Sequence, residues 1–526
     1  MRRLSGGDRG AARFAALLFG ASATLWAQGV IARTYTICAA FAVLLLLVVT
    51  GEEEERSALL FPFLLGVSVA HHLLTVVLAP LLLSRRSLWS FRRLGVKVAL
   101  FLLGFSLYLY LPLRAGRGVL LDWGDPDSWG RFVAVMTQAQ YRQKIFSPDL
   151  APRIEMARII GGAFTSEFVA PLLPLAPAGG AQAWFARALY WTSRGIVLLL
   201  LLSGFGHLWC RRRWLAAGIA LAIVGNVALK MSYYGVWELN QVLRYLLPAF
   251  LLAALLVGGG YAWSLRGERR RLLRPLLSLL LLFPLIVGNF LRQDRSRHFL
   301  ARDRIADILA SLPEEAIVLV SGDNEIFPAW YLQRVEKFRE DVAVIPRSAW
   351  QAGWLIEDVA TRSTAPGWPE RLDLRRREEA IPLYLEEIVE RGERPVFTLF
   401  EETNDPALQK VFERWRKKFR FDPYGLAFRI VRKEAPERDL LAENISIFRN
   451  YRLTGLETLP HDPHTVSSLH RYAAAFNRVG LLAMAAGRLE VARRWFERAV
   501  ALGLDDPSPR INLATAVLRS GALNRG

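Results

Sequence analysis

The stretch VLRYLLPAFLLAALLVGGGYAW, residues 242–263, and the SLRGERRRLLR that follows it, residues 264–274, decide the class of fold. A helix needs about 20 mostly apolar residues to cross the hydrocarbon core of a bilayer. Val242–Trp263 has that length, with Arg244 as its one charge. The arginines crowded into Arg266–Arg274 are the kind of loop that stays on the cytoplasmic face, where Lys and Arg accumulate. The pattern repeats along the chain. Leu100–Leu113, Leu198–Leu202 and Leu276–Val287 are further apolar runs, and Arg85–Lys97 and Arg211–Arg213 are further basic loops.

Spans are therefore expected near Ala12–Ile31, Tyr35–Thr50, Gly95–Leu113, Arg187–Trp209, Trp214–Met231, Val242–Trp263 and Leu272–Asn289. The run Ala58–Ser84 carries His71 and His72 at its centre and has two readings: one long tilted helix, or a hairpin turning at the histidines. In either case the three basic loops share the inner side. The connection Arg114–Ala186, the loop Tyr233–Gln241 and everything after Asn289 then face outward. The hairpin version also keeps Arg2, Arg3, Arg9 and Arg13 inside, whereas the single helix puts Glu52–Glu55 outside.

The 526 residues average two dissimilar halves, with a mean hydropathy of +0.23, 53% hydrophobic residues and 22% charged ones. Residues 1–291 read as a membrane bundle. The formal charge of +19 does not point to nucleic acid, because its arginines sit in short loops between spans. Cys38 and Cys210 both lie in or beside apolar runs, so no disulfide framework exists for the polar half. No cleavage pattern follows the first apolar run, which reads as an anchor.

In residues 292–435, the β-prone runs Ile317–Ser321, Val342–Pro346, Pro395–Leu399 and Leu426–Val431 alternate with helical patterns such as Ile326–Lys337 and Arg375–Arg391. That alternation predicts a soluble α/β domain with a largely parallel sheet. Thr361–Trp368, with Ala365–Pro366–Gly367 at its centre, reads as a loop. A linker, 436–464, leads to a helical tail, 465–526, in which Phe476, Val479, Gly480, Ala492, Phe496 and Ala499 have the spacing of a tetratricopeptide helix pair. Thirty-four residues on, Val479 maps to Leu513, Gly480 to Ala514, Gly487 to Gly521 and Leu489 to Leu523, the tetratricopeptide period. About three such repeats normally make a stable solenoid, so this tail reads as a partial one, with a protein partner as its expected ligand.

Two arginines stand at the outer boundary of a span: Arg114, after Tyr110–Leu111–Pro112–Leu113, and Arg244. The inside rule disfavours arginine there, although snorkelling to headgroups accounts for one at a span end. Guanidinium is planar and always charged, which suits a lipid-linked phosphate at this depth. His71 and His72 are open to three roles, further phosphate ligands, a proton shuttle or a turn cap; adjacent histidines on a helix diverge, so no metal is expected. Asp122 and Asp125, in Leu121–Asp122–Trp123–Gly124–Asp125–Pro126, and Glu238, in the loop before Arg244, are candidates for an acceptor side, with a turn as the competing role of Asp125. Asp323 and Asn324 follow a strand and precede a helix, where ligands often bind, and either is also a good N-cap. Gln138, Gln140, Tyr141 and Arg142 belong to an amphipathic surface stretch. No Walker loop, dinucleotide fingerprint, nucleophile elbow or zinc pattern occurs, and no cofactor is expected.

Five motifs in order then resemble one family: Ser22–Ala23–Thr24–Leu25–Trp26–Ala27–Gln28–Gly29–Val30–Ile31–Ala32–Arg33–Thr34–Tyr35; Gly66–Val67–Ser68–Val69–Ala70–His71–His72–Leu73; Tyr110–Leu111–Pro112–Leu113–Arg114 with Asp122–Trp123–Gly124–Asp125–Pro126; Arg244–Tyr245–Leu246–Leu247–Pro248; and Gly322–Asp323–Asn324–Glu325–Ile326–Phe327–Pro328–Ala329–Trp330–Tyr331–Leu332–Gln333. They resemble a bacterial polytopic membrane family, a domain of unknown function related to the transmembrane protein O-mannosyltransferases of the GT-C glycosyltransferase class. The likeness covers roughly residues 10–435. It implies a mostly α, GT-C-like polytopic bundle in a bacterial inner (plasma) membrane, with the soluble half extracytoplasmic. It also implies transfer of a hexose from a polyprenyl-phosphate donor to protein or glycan on the outer face.

In the class, a carboxylate in the first outer loop acts as general base. The family's Asp-Ser-Gly-Glu-like and His-Pro-Pro-Gly-Tyr-Pro-like motifs are not in this chain, which begins at what resembles the third span. Arg33 stands at a usual Glu, and His71 at a frequent Asn. The expectation is thus a truncated or degenerate GT-C-like glycosyltransferase, with Arg114, Arg244, His71 and His72 at the donor phosphate and no assigned catalytic base. The rival expectation is a non-enzymatic envelope scaffold that binds a partner through its tetratricopeptide tail.

Overall fold

The structure is a computed structural model. It describes residues 1, 3–31, 33–91, 93–117, 123–139, 150–169, 181–232, 242–347, 379–400, 406–459 and 463–523. Asp122, Glu238, the Thr361–Trp368 loop and Gln140–Arg142 lie outside them. The chain forms two compact units. The first is Met1–Arg117 with Pro126–Arg295, and the second is Ser296–Gly526 with Gly118–Asp125.

In the first unit four helices are long and apolar enough to cross a membrane: Leu94–Ala115, Ala183–Ser232, Val242–Ser264 and Leu273–Gln293. A fifth span arises if Arg9–Gly20 and Ala23–Gly29, bent by 61° at their junction, count as one. The two expected spans Arg187–Trp209 and Trp214–Met231 run into each other within Ala181–Ser232, and the rod is broken only at Arg212 (φ −146°, ψ 64°). Fifty residues at 1.5 Å each would reach roughly 75 Å, more than twice the hydrocarbon thickness, so the basic break must divide two crossings. Tyr35–Val49 and Leu73–Ser84 are shorter than a full span.

The Leu247–Ser264 helix is the centre of this unit and is buried on almost every side. Leu94–Ala115 is its opposite: Leu102, Leu103, Leu107 and Leu113 are all exposed. Lipid tails accept that surface at no cost, so in a bilayer helix association rests on close packing. Small residues supply it at two crossings. A Cβ on Gly204 would collide with the backbone of Leu256, and one on Gly260 with the backbone of Leu200. Gly66 and Gly104 do the same for the Glu54–His71 and Leu94–Phe105 helices, against Phe101 and Phe63.

Polar contacts identify one end of this unit. Asp8 caps the Arg9–Gly20 helix through the Ala11 amide (2.9 Å) and accepts from Arg274 Nη1 (2.7 Å). At Asp8, burial pushes the carboxyl up, but the Ala11 amide and Arg274 hold it, on balance, below its ordinary range. Arg85 Nε donates to Val49 O (2.7 Å) and its Nη2 to Gly51 O, while Arg3 reaches Leu47 O (3.3 Å). The Glu54–His71 helix stops at His72, which is extended (φ −159°, ψ 126°), and a 3-10 helix, Leu73–Ser84, follows. Because Arg85 returns to Val49 and Gly51, this run leaves by the end at which it entered, with the histidines at its far turn. One continuous tilted helix does not fit that geometry.

The second unit holds a five-stranded sheet in the order β2-β1-β3-β5-β4. β1 (Ile317–Val320) pairs in parallel with β2 (Ala343–Pro346) and β3 (Val396–Thr398). β5 (Ala427–Arg432) runs antiparallel to both β3 and β4 (Phe419–Tyr424). The largely parallel expectation is corrected here to a mixed sheet. β4 and β5 are joined by a tight turn at Gly425 (φ 59°), and so short a connection can only reverse the chain.

Side chains alternate along the strands, as period-two geometry requires. Ile317 and Leu319 pack with Ile381, Leu385, Trp415 and Ile430. Val318 and Val320 pack on the other face with Ile308, Leu332, Tyr472 and Phe476. Both faces are covered, which is why these runs are apolar throughout. The helices Pro463–Ala485, Leu489–Ala501 and Ser508–Leu523 follow. Phe476 and Trp495 lie 5.5 Å apart and Phe448 contacts both rings, while Gly480 leaves the space that Phe496 fills.

Candidate functional site

At the end of the first unit away from Asp8 and Arg274, four elements bring their polar residues together. Tyr35 opens the Tyr35–Val49 helix, and its ring lies 5.5 Å from the His72 ring and 5.4 Å edge-on from Tyr245. Arg244 sits with its Cζ 4.9 Å over Tyr245 and 5.5 Å over Tyr35, and donates to the Tyr245 hydroxyl (3.1 Å). Lys230, buried near the end of Ala183–Ser232, holds its Nζ 4.5 Å from the centre of the same Tyr245 ring. Two cations thus share one aromatic ring, each attracted to its π cloud.

The neighbouring backbone is fixed by Asn226, which is fully buried. Its Nδ2 donates to Tyr245 O (2.9 Å), and its Oδ1 accepts from Ala249 N (3.2 Å). One side chain therefore satisfies an amide in the first turn of the Leu247–Ser264 helix and pins the Arg244–Tyr245 segment beside Lys230. His72 Nδ1 accepts from Leu74 N (3.1 Å) and so caps the turn, which leaves Nε2 to carry the proton. His71 Nε2 lies 3.2 Å from Thr34 O, and its ring 5.7 Å from Phe41.

Arg244 and His72 therefore meet at Tyr35, and His71 lies beside the neighbouring Thr34. Arg114 does not join them: it is exposed in the last turn of its helix, and its guanidinium makes no hydrogen bond or ion pair with a described residue. Asp125 belongs to the second unit, in a turn where Gly124 (φ 85°) and Asp125 (φ 41°) are both left-handed. Asp323 and Asn324 are exposed in the first turn of Asp323–Arg334. The N-cap there is Gly322 (φ 86°, ψ 163°) with no side-chain cap, so the capping role expected of these two is corrected. Their neighbour Glu325 is buried. It accepts from Ser321 N (2.7 Å) and pairs with Arg304 (3.4 Å) and Arg471 (3.0 Å). Among the described residues no three His, Cys, Asp or Glu side chains form a group able to hold a metal.

Two residues with no local sequence signal matter here. Lys230 follows a long apolar run and reads as its terminating charge. Glu167 is the other: it is buried and fills the break between the Arg9–Gly20 and Ala23–Gly29 helices. It accepts from Thr24 N and from Thr24 Oγ1 (2.7 Å each), and its carbonyl accepts from Ala23 N (3.3 Å). Burial pushes the Glu167 carboxyl up to about 7, against the opposing pull of the Thr24 and Ser22 hydrogen bonds. Asn289 Nδ2 donates to Ala21 O (2.7 Å) and braces the same break from another helix.

A helical membrane unit joined to a unit built on a small mixed sheet is the class to which these features assign the chain. Residues 6–86 match the family model described as protein O-mannosyl-transferase TMEM260 N-terminal domain, and residues 301–371 match TMEM260-associated domain 2. Over those two stretches the chain is similar to a family related to protein O-mannosyltransferases. No curated protein and no solved structure matches. The first stretch contains Thr24, Tyr35, His71 and His72, and the second contains Arg304, Asp323, Asn324 and Glu325. Lys230, Arg244 and Glu167 lie outside both.

Proposed function

We propose that this protein is a membrane glycosyltransferase that takes a hexose from a polyprenyl-phosphate donor and passes it to a protein or glycan hydroxyl on the outer face. The observation that carries this reading is the convergence of Arg244 and Lys230 on the Tyr245 ring, beside Tyr35 and His72. A phosphate at membrane depth needs cations that are charged at every working pH and held still, and guanidinium hydrogen bonds to an anion are among the stronger ones. His71 and His72 frame the same site, whereas Arg114 stands apart from it. The reading assigns no acceptor residue and no catalytic base.

Binding of a polyprenyl-phosphate sugar tests it. Arg244→Ala and Lys230→Ala should each weaken binding by about 10- to 100-fold, since a hydrogen bond to a charged group contributes roughly 1.5–3 kcal/mol. Arg114→Ala should weaken it less. Unchanged affinity in both Arg244→Ala and Lys230→Ala sinks the donor site.

A scaffold reading has one observation in its favour. Ile511, Val517 and Leu518 are exposed on the last described helix, a surface suited to a protein partner. A protein with normal partner capture and no sugar transfer would match that reading.

A further inference from the structure

In the second unit, the Asp323–Arg334 helix has two apolar faces. Ile326, Ala329 and Leu332 enter the core beneath β1. Phe327, Tyr331 and Val335, spaced by four along another stripe, are 47%, 48% and 66% exposed. Trp330 meets the Phe327 ring edge-on at 5.9 Å, and Trp123 lies against Phe327 at 6.5 Å while remaining 47% exposed. Three aromatic rings and a valine are thus presented to solvent where core formation does not require them. Exposed apolar patches of this kind mark sites of interaction with proteins or membranes.

The chain's connectivity selects between those occupants. Trp123 stands eight residues after Ala115, where the Leu94–Ala115 span ends. Eight residues reach at most about 28 Å, less than the thickness of the hydrocarbon core. The unit resumes at Ser296, immediately after Gln293 closes the last span, and Phe299, close behind, is exposed as well. The aromatic stripe is therefore tethered on a short leash to a membrane surface. Its Trp and Tyr content is the composition that settles at the headgroup boundary, where a ring can be apolar on one side and wet on the other.

We propose that the Phe327–Tyr331–Val335 face, with Trp123, is a membrane-docking surface that rests in the interfacial layer of the bilayer crossed by the first unit. This assignment is independent of the donor site.

The test uses the full chain with Cys210→Ser, Cys38 being buried, in vesicles of phosphatidylethanolamine and phosphatidylglycerol. A nitroxide is attached at Val335→Cys and, in a second preparation, at the exposed Lys433→Cys. The expected result at 335 is relaxation dominated by oxygen, which partitions into lipid, over a water-soluble nickel chelate, with the reverse at 433. Adding Phe327→Ser and Tyr331→Ser should shift position 335 toward the nickel response. Nickel-dominated relaxation at 335 in the otherwise unaltered face overturns the proposal. Shielding from both reagents, the mark of a protein partner or a second copy, overturns it too, and so does a ratio that the double serine variant leaves unmoved.

Discussion

Glu167 shows how far a single residue can act along the chain. Its carboxylate takes two hydrogen bonds from Thr24, 143 positions away, and stands where the bent pair of N-terminal helices is interrupted. A carboxyl whose folded value is raised to about 7, from an ordinary 4.5, binds its proton more tightly in the folded state than in the unfolded one. The stability it contributes is full below about 4.5 and is lost as pH rises through about 7, to a total of roughly 3 kcal/mol. Melting in detergent should therefore show stability falling between those limits. Glu167→Gln, which keeps the shape and cannot ionise, should flatten that dependence, and a variant with an unchanged slope would place the titration elsewhere. Lys230 makes the same point about legibility. In sequence it is a charge at the end of an apolar run, whereas in the fold it is the second cation on the Tyr245 ring.

Among the elements, the helix crossings depend on glycine because lipid offers no hydrophobic drive to press helices together. Gly204 and Gly260 face each other's helices across the contact between Ala183–Ser232 and Leu247–Ser264, and a Cβ at either meets backbone that cannot rotate away. Gly260→Leu should cost at least about 1–3 kcal/mol, the usual penalty of overpacking. A lowered melting temperature in detergent checks it; a melting temperature equal to that of the unaltered chain would mean the helices separate freely. The strands were legible as short apolar runs, and β1, β2, β3 and β5 fall where those runs stand. β4 was not, because Phe419–Arg420–Phe421–Asp422 directly follows the charged helix Pro406–Lys418 and reads as its continuation. The direction of β5 was not legible either, since a β-prone run of residues carries no sign of whether its neighbour is parallel.

At the scale of the whole molecule, the basic loops Arg85–Lys97, Arg211–Arg213 and Arg266–Arg274 predict one cytoplasmic face, and the second unit then lies outside. A Lys433→Cys chain in right-side-out cells should react with an impermeant maleimide without permeabilisation. Labelling that requires an opened inner face would invert the topology and move the proposed donor site to the cytoplasmic leaflet.

Composition and period were enough to establish a membrane chain of apolar helices separated by basic loops, followed by a unit of strands and helices, and the order of the motifs pointed to the family that two of its stretches match. These are local properties: hydropathy, charge and spacing act on neighbouring residues whatever the rest of the chain does. The partner of each buried polar group was decided only by tertiary packing: Thr24 for Glu167, Tyr245 for Lys230 and Asn226, and Arg304 and Arg471 for Glu325. The physical reason is that a polar group removed from water must be satisfied by whatever the packing brings beside it, and residues distant in sequence carry no local mark of that meeting.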